Sequence, residues 1–323
     1  MHRIFASLIL ICVTCLVAPV AASADTIDWV PVGNPGNAND PATGNLYGGV
    51  GYNYRIDKYD VTNSQYVEFL NAKDPTGANA LGLYNSNMSN ATFGGISFNN
   101  LNPAGSMYTV ISDRGNHPAN YTTWYNAIRF ANWLDNGQGN GDTESGAYTL
   151  LGGTPTPSNG LSITRSAGAS VFLPSESEWY KAAYYDPGSS SYFLYPTSSS
   201  SVPTASGSTP LANHANFRPG GPNNLTDVGA YSGTTSPYGA FDMGGDVYQW
   251  NEALISGSFR GLRGGSYNFS STNLRSSNRD SNDPTNESDS VVGFRVASTP
   301  EPSTGVLAVV ACGLMWAIRK RFN

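Results

Sequence analysis

The sequence predicts one α+β domain of strands and loops with a few clear helices, and three observations predict it. Both periodicities occur: alternating apolar residues in some segments, apolar residues three and four apart in others. Two helix starts carry complete capping signals, Thr62 with Gln65 and Ser175 with Glu178. The stretches between them are rich in turn formers: the 323 residues include 36 Gly and 20 Pro, and only 12% are charged.

The chain opens on an export signal. Arg3 supplies a positive n-region, Ile4 to Val20 is apolar, and Ala22-Ser23-Ala24 is a small-residue cleavage site, so residues 1–24 read as a signal peptide. At the other end, Pro300-Glu301-Pro302 precedes an apolar run from Gly305 to Ile318 and the cluster Arg319-Lys320-Arg321. That run is shorter than the roughly 17–25 residues of a usual membrane helix, but flanking bases snorkel and extend it. Basic residues after the run fit a cytoplasmic end. Between the signals, residues 25–299 are long enough for one substantial domain. Of 17 bases, Arg3, Arg319, Lys320 and Arg321 lie outside it, leaving 13; of 23 acids only Glu301 does, leaving 22. The mature net charge is 13 − 22 = −9, with no basic patch, which argues against nucleic acid as a partner. Cys12 and Cys15 fall in the signal peptide and Cys312 in the C-terminal run. The mature domain therefore has no disulfide, thiolate metal site or cysteine nucleophile.

Along the domain, Trp29 to Gly33 and Tyr54 to Val61 read as strands. Thr62 caps a helix over 63–71 that places Tyr66, Phe69 and Leu70 on one face. Residues 72–116 are loop-rich. Trp124, Ala127, Ile128, Ala131 and Leu134 have helical spacing. Residues 135–146 carry Asp135, Asp142 and Glu144 without EF-hand spacing and read as a solvated loop. Pro174 and Ser175 start a third helix, where Glu176 and Glu178 serve the dipole and the cap rather than acid–base chemistry. Residues 189–209 read as a surface loop, and His117, before a proline, as structural. Arg263, Arg275, Arg279 and Arg295 are expected in bidentate pairs with acids.

The chain is organised around Tyr238 to Tyr267. Gly244-Gly245 frees the backbone to aim carbonyls inward, and Asp242 and Gln249 flank it with side-chain oxygens, as a hard cation requires. The runs GAFDMGGDVYQW and LRGGSY here resemble the signature of the formylglycine-generating enzyme, or sulfatase-modifying factor, family. The segments YRIDKYDVTNSQYVEFLNA, FLPSESEWYKAA, Ala215-Asn216-Phe217 and Val292-Gly293-Phe294-Arg295-Val296 extend the resemblance over nearly the whole mature domain. Phe172 stands where the family usually has Arg, so one charged contact is expected to be missing. The resemblance implies an irregular, C-type-lectin-like α+β fold. It implies a structural Ca²⁺ held by Asp242, Gly245, Val247 and Gln249, with Asn216 in a second site. It also places the family's two copper-binding cysteines on Phe269 and Leu274, beside Ser266, so no copper is expected, and these three become candidates for a ligand groove. The family's iron branch needs a histidine triad, whereas the mature chain has only His117 and His214. No G-x-S-x-G motif supports serine hydrolysis.

The C-terminal pattern resembles the PEP-CTERM sorting signal, which implies an exosortase-type processing enzyme and transient membrane anchoring over residues 300–323. The expectation is an exported domain of the cell envelope or exterior, non-catalytic, that binds a saccharide (an exopolysaccharide) or an envelope protein. The alternatives are an oxidoreductase with non-standard activity and a structural matrix protein.

Overall fold

The structure, a computed structural model, describes residues 27–286 and 289–300. Residues 1–26, which include the expected signal peptide, and everything from Glu301 onward lie outside the described residues. Eight strands form two four-stranded sheets: β1 Trp29–Val32, β2 Tyr54–Asp57, β3 Val171–Phe172, β4 Tyr248–Ile255, β5 Phe259–Arg263, β6 Asp280–Asn282, β7 Val292–Gly293 and β8 Ala297–Ser298. The first sheet has the order β1-β2-β8-β3 and the second β6-β5-β4-β7. Each sheet thus joins strands far apart in the chain. This is the irregular, loop-rich α+β architecture expected.

Among the described residues three α-helices form, and two of them start at the predicted capping boxes. Thr62 Oγ1 accepts from Gln65 N at 3.3 Å and Gln65 Oε1 accepts from Thr62 N at 2.8 Å, opening α1 (Asn63–Lys73). Thr123 caps α2 (Trp124–Asp135). Ser175 and Glu178 close the box of α3 (Glu176–Tyr184). Tyr66, Phe69 and Leu70 are fully buried on α1. Tyr66 and Phe69 meet Phe130 and Trp133 of α2 and Phe294 in an aromatic cluster with ring centroids 5.4–6.3 Å apart. Helix α2 is buried almost all round, its polar residues bonded into loops: Asn132 Nδ2 donates to the carbonyls of Thr143 and Tyr148.

Three expectations need correction. The second strand ends at Asp57 rather than Val61, because Asp57 Oδ1 accepts from Tyr59 N at 3.2 Å and turns the chain. The 72–116 region contains a hairpin, Ile96–Phe98 with Tyr108–Val110. Segment 189–209 is not all loop, since Ser191–Tyr192 and Thr204–Ala205 pair with Tyr185–Asp186 and His214–Ala215. Among the described residues no helix is long and apolar enough to cross a membrane.

Candidate functional site

The central stretch folds around a buried polar ring. Gln249, on β4, is fully buried. Its Oε1 accepts from Trp179 Nε1 at 2.6 Å and from Arg295 Nε at 2.7 Å, while its Nε2 donates to the Asp242 carbonyl at 2.7 Å. Arg295 continues to the carbonyls of Asp57 and Phe241, both at 2.9 Å, and to Asp60 Oδ1 at 3.0 Å. Asp242 (φ 53°), Gly245 (φ 88°) and Asp246 (φ 58°) take the left-handed backbone that turns the chain here. A Cβ on Gly245 would lie 2.4 Å from the Asn216 carbonyl, so only glycine fits.

This geometry corrects the predicted cation ligands. Gln249 does not fit: its one acceptor oxygen takes two donors, one of them a guanidinium, leaving no lone pair facing a cation. The neighbouring oxygens fit better. Asp246, which sequence reasoning missed, accepts from Thr226 N and Oγ1 and from Asn216 Nδ2. Asn216 Oδ1 is buried and has no hydrogen-bond partner among the described residues. Asp242 Oδ2 accepts from Gly229 N at 2.6 Å. Asp242, Asp246 and Asn216 line one cavity of about 10 Å³, about the least space that holds a water or a single ion. Burial pushes Asp242 up to about 6 and Asp246 up to about 8, the charge of Asp242 adding to the rise of Asp246. No group of three or more His, Cys, Asp or Glu side chains among the described residues is spaced to hold a metal ion. A cation here would therefore rely on amide and backbone oxygens beside the two carboxyls. Gly245 and Val247 sit in the same turn, Val247 fully buried. The sequence signal for Asp246 is its place two residues after Gly244, in the oxygen-rich central stretch.

The expected ligand groove is filled. Ser266 and Leu274 are fully buried. Leu274 packs with Tyr195, Ala215 and Phe217 and lies so close to Gly265 that a Cβ there would be 2.8 Å from its methyl. Phe269 is 39% exposed and meets Tyr248 edge-on at 5.3 Å. Ser266 and Leu274 thus offer no surface to a ligand, and only the Phe269 ring reaches solvent.

Other candidates resolve into structure. Glu176 pairs with Arg263 and with Arg279, both at 2.7 Å, and Arg295 pairs with Asp60. Arg275 departs from the expected pairing: its Nε is buried without a partner among the described residues, and its guanidinium lies 5.8 Å from the Tyr195 ring. Phe172, where one charged contact is expected to be missing, lies beside a cation all the same. Arg165 stacks 3.5 Å over the Phe172 ring and bonds both Glu178 and Glu252. The 135–146 loop is not simply solvated, because Glu144 binds the buried Arg129 through two bonds, of 2.6 and 3.1 Å. His117 faces Asp227 at 3.6 Å, and burial holds its imidazole below the usual value. His214 Nδ1 lies 3.0 Å from Ser206 Oγ.

Residues 49–300 match the model of the sulfatase-modifying factor enzyme 1-like domain. The chain is 32% identical over 142 residues to hercynine oxygenase of Mycolicibacterium smegmatis, covering 37% of this chain and 31% of that protein. It thus spans about a third of the length of that curated relative. Two solved structures share the fold. Treponema denticola variable protein 1 has a TM-score of 0.55 at 20% identity, over 85% of this chain and 95% of that one. CarF has a TM-score of 0.54 at 21% identity, over 85% of this chain and 99% of that one.

Proposed function

Because the chain belongs to the sulfatase-modifying factor enzyme 1-like domain family, we propose that residues 25–299 are an exported, surface-sorted member that binds a ligand instead of catalysing the family's oxidation. One observation carries this reading. The positions assigned by resemblance to the copper thiolates hold Phe269 and Leu274, and Leu274 is locked into an apolar cluster. Neither side chain can ligate Cu(I), which thiolates select. The ligand class is a saccharide or an envelope protein. The export and sorting part rests on the two terminal segments, with an exosortase-type enzyme cutting near Pro300-Glu301-Pro302.

A structural Ca²⁺ belongs to the same reading. Asp242, Asp246 and Asn216 would hold it, supplemented by carbonyls of the Gly245–Val247 turn. Its contribution would be to fix that turn, with no chemical step passing through it.

The test incubates the purified chain with copper, oxygen and a sulfatase-type peptide carrying a target cysteine. The peptide is expected to keep its thiol. Appearance of the aldehyde by mass spectrometry, or stoichiometric copper binding, overturns the non-catalytic reading in favour of an oxidoreductase.

A further inference from the structure

A cavity of about 340 Å³ lies on the face of the first sheet that does not enter the core, well away from the central stretch in sequence. Strand residues alternate faces. In this sheet Val30, Val32, Ile56, Phe172 and Ala297 turn inward and are buried. The other face carries Trp29, Arg55, Ser298 and Val171, with Arg55 opposite Ser298 and Ser298 opposite Val171. Trp29, Arg55 and Val171 line the cavity, together with Asp135 at the end of α2, Gln138 and Ser170.

Two opposite charges line this space without pairing. Arg55 Nε donates to Ser298 Oγ at 3.0 Å, and its guanidinium carbon lies 5.2 Å from the Trp29 ring centre. Its two terminal nitrogens make no hydrogen bond among the described residues. Asp135 Oδ1 accepts from Ser170 N at 2.7 Å, Ser170 Oγ at 2.6 Å and Val171 N at 3.0 Å. Those three bonds fix the carboxylate and leave Oδ2 uncommitted among the described residues. Neither residue is in an ion pair there. The cavity therefore offers rigid donors, a rigid acceptor and a half-buried indole at the lower end of the roughly 300–1,000 Å³ range of small-ligand sites.

We propose that this cavity binds a neutral saccharide. A pyranose has hydroxyls that both donate and accept, which suits Arg55 and Asp135 together, and an apolar C–H face, which suits Trp29. A charge-assisted bond to each ionised group gives both affinity and orientation. The mature net charge of −9 disfavours an anionic polymer, which it repels at long range. The proposal rests on the ligand-binding reading above and names both its site and its ligand class.

The full chain, held in a detergent without a sugar headgroup, is titrated calorimetrically with maltohexaose, cellohexaose and mannohexaose. The expected result is saturable binding of at least one hexaose, weakened tenfold or more in Arg55→Gln and in Asp135→Asn and unchanged in Leu101→Ala, an exposed position outside the cavity. Trp29→Ala is less decisive, since it also loosens β1; Arg55 is partly exposed, so its variant keeps the fold. Absence of hexaose binding overturns the saccharide assignment, and so does displacement of a bound hexaose by a zwitterionic amino acid. Binding that survives both variants overturns this cavity but leaves the ligand-binding reading standing. Failure of the non-catalytic reading shows separately, in the aldehyde and copper assay.

Discussion

Arg295 Nε donates to Gln249 Oε1 at 2.7 Å, inside a core where both side chains are fully buried. The bond puts a cation on the atom that a calcium loop would need. Replacing Gln249 by Ala leaves two buried donors, Trp179 Nε1 and Arg295 Nε, unsatisfied. The expected cost is about 2–4 kcal/mol, one donor being charged. A thermal melt of the variant should fall on the order of 5–10 °C.

The same variant separates two versions of the calcium site. With Asp242, Asp246 and Asn216 as ligands, EDTA lowers the melting temperature and excess Ca²⁺ restores it. The gain is about 2.7 kcal/mol at a hundredfold excess over Kd. Asp242→Ala should abolish the response and Gln249→Ala should keep it. Superimposable melts with and without chelator would show that the turn needs no ion.

The buried carboxyls make a pH prediction. In the folded state Asp242 and Asp246 hold protons up to about pH 6 and 8, whereas unfolded they release them near 3.9. The folded state binds more protons in that interval, so their contribution is full below about pH 4 and is lost as pH rises toward 8. In EDTA, the melting temperature of the wild type relative to Asp246→Asn should therefore fall steadily between pH 4 and 8. A flat difference removes Asp246 as the titrating group.

Arg165 is expected to carry the charge balance of α3. It bridges Glu178 and Glu252, and Arg165→Ala strands both. Breaking such a buried pair costs about 3–5 kcal/mol. Phe172 lies under the guanidinium, so Phe172→Arg in the Arg165→Ala background should restore part of the loss. If chemical denaturation finds the double variant no more stable than Arg165→Ala, the two positions are not interchangeable.

Sorting is tested in the native host. Replacing Glu301 should trap a longer, membrane-bound form, seen as a larger band in the membrane fraction. Identical fractionation of variant and wild type contradicts processing at Pro300-Glu301-Pro302.

The sequence by itself determined the helices, the fold class and the family. Caps and apolar spacing act over three or four residues, so Thr62, Ser175 and the Tyr66–Phe69–Leu70 face were legible without any tertiary contact. The partners of buried polar groups were not legible, because they come from distant parts of the chain. Arg295 reaches Gln249 and Asp60 from 46 and 235 residues away. Arg165 reaches Glu178 and Glu252 from 13 and 87 residues away and stacks on Phe172. Leu274 fills the space where a groove was expected, and Asp135, read as part of a solvated loop, becomes a fixed acceptor beside Arg55. Burial and long-range hydrogen bonding decide which oxygen is free and which is spent, and only the folded chain brings those groups within 3 Å of one another.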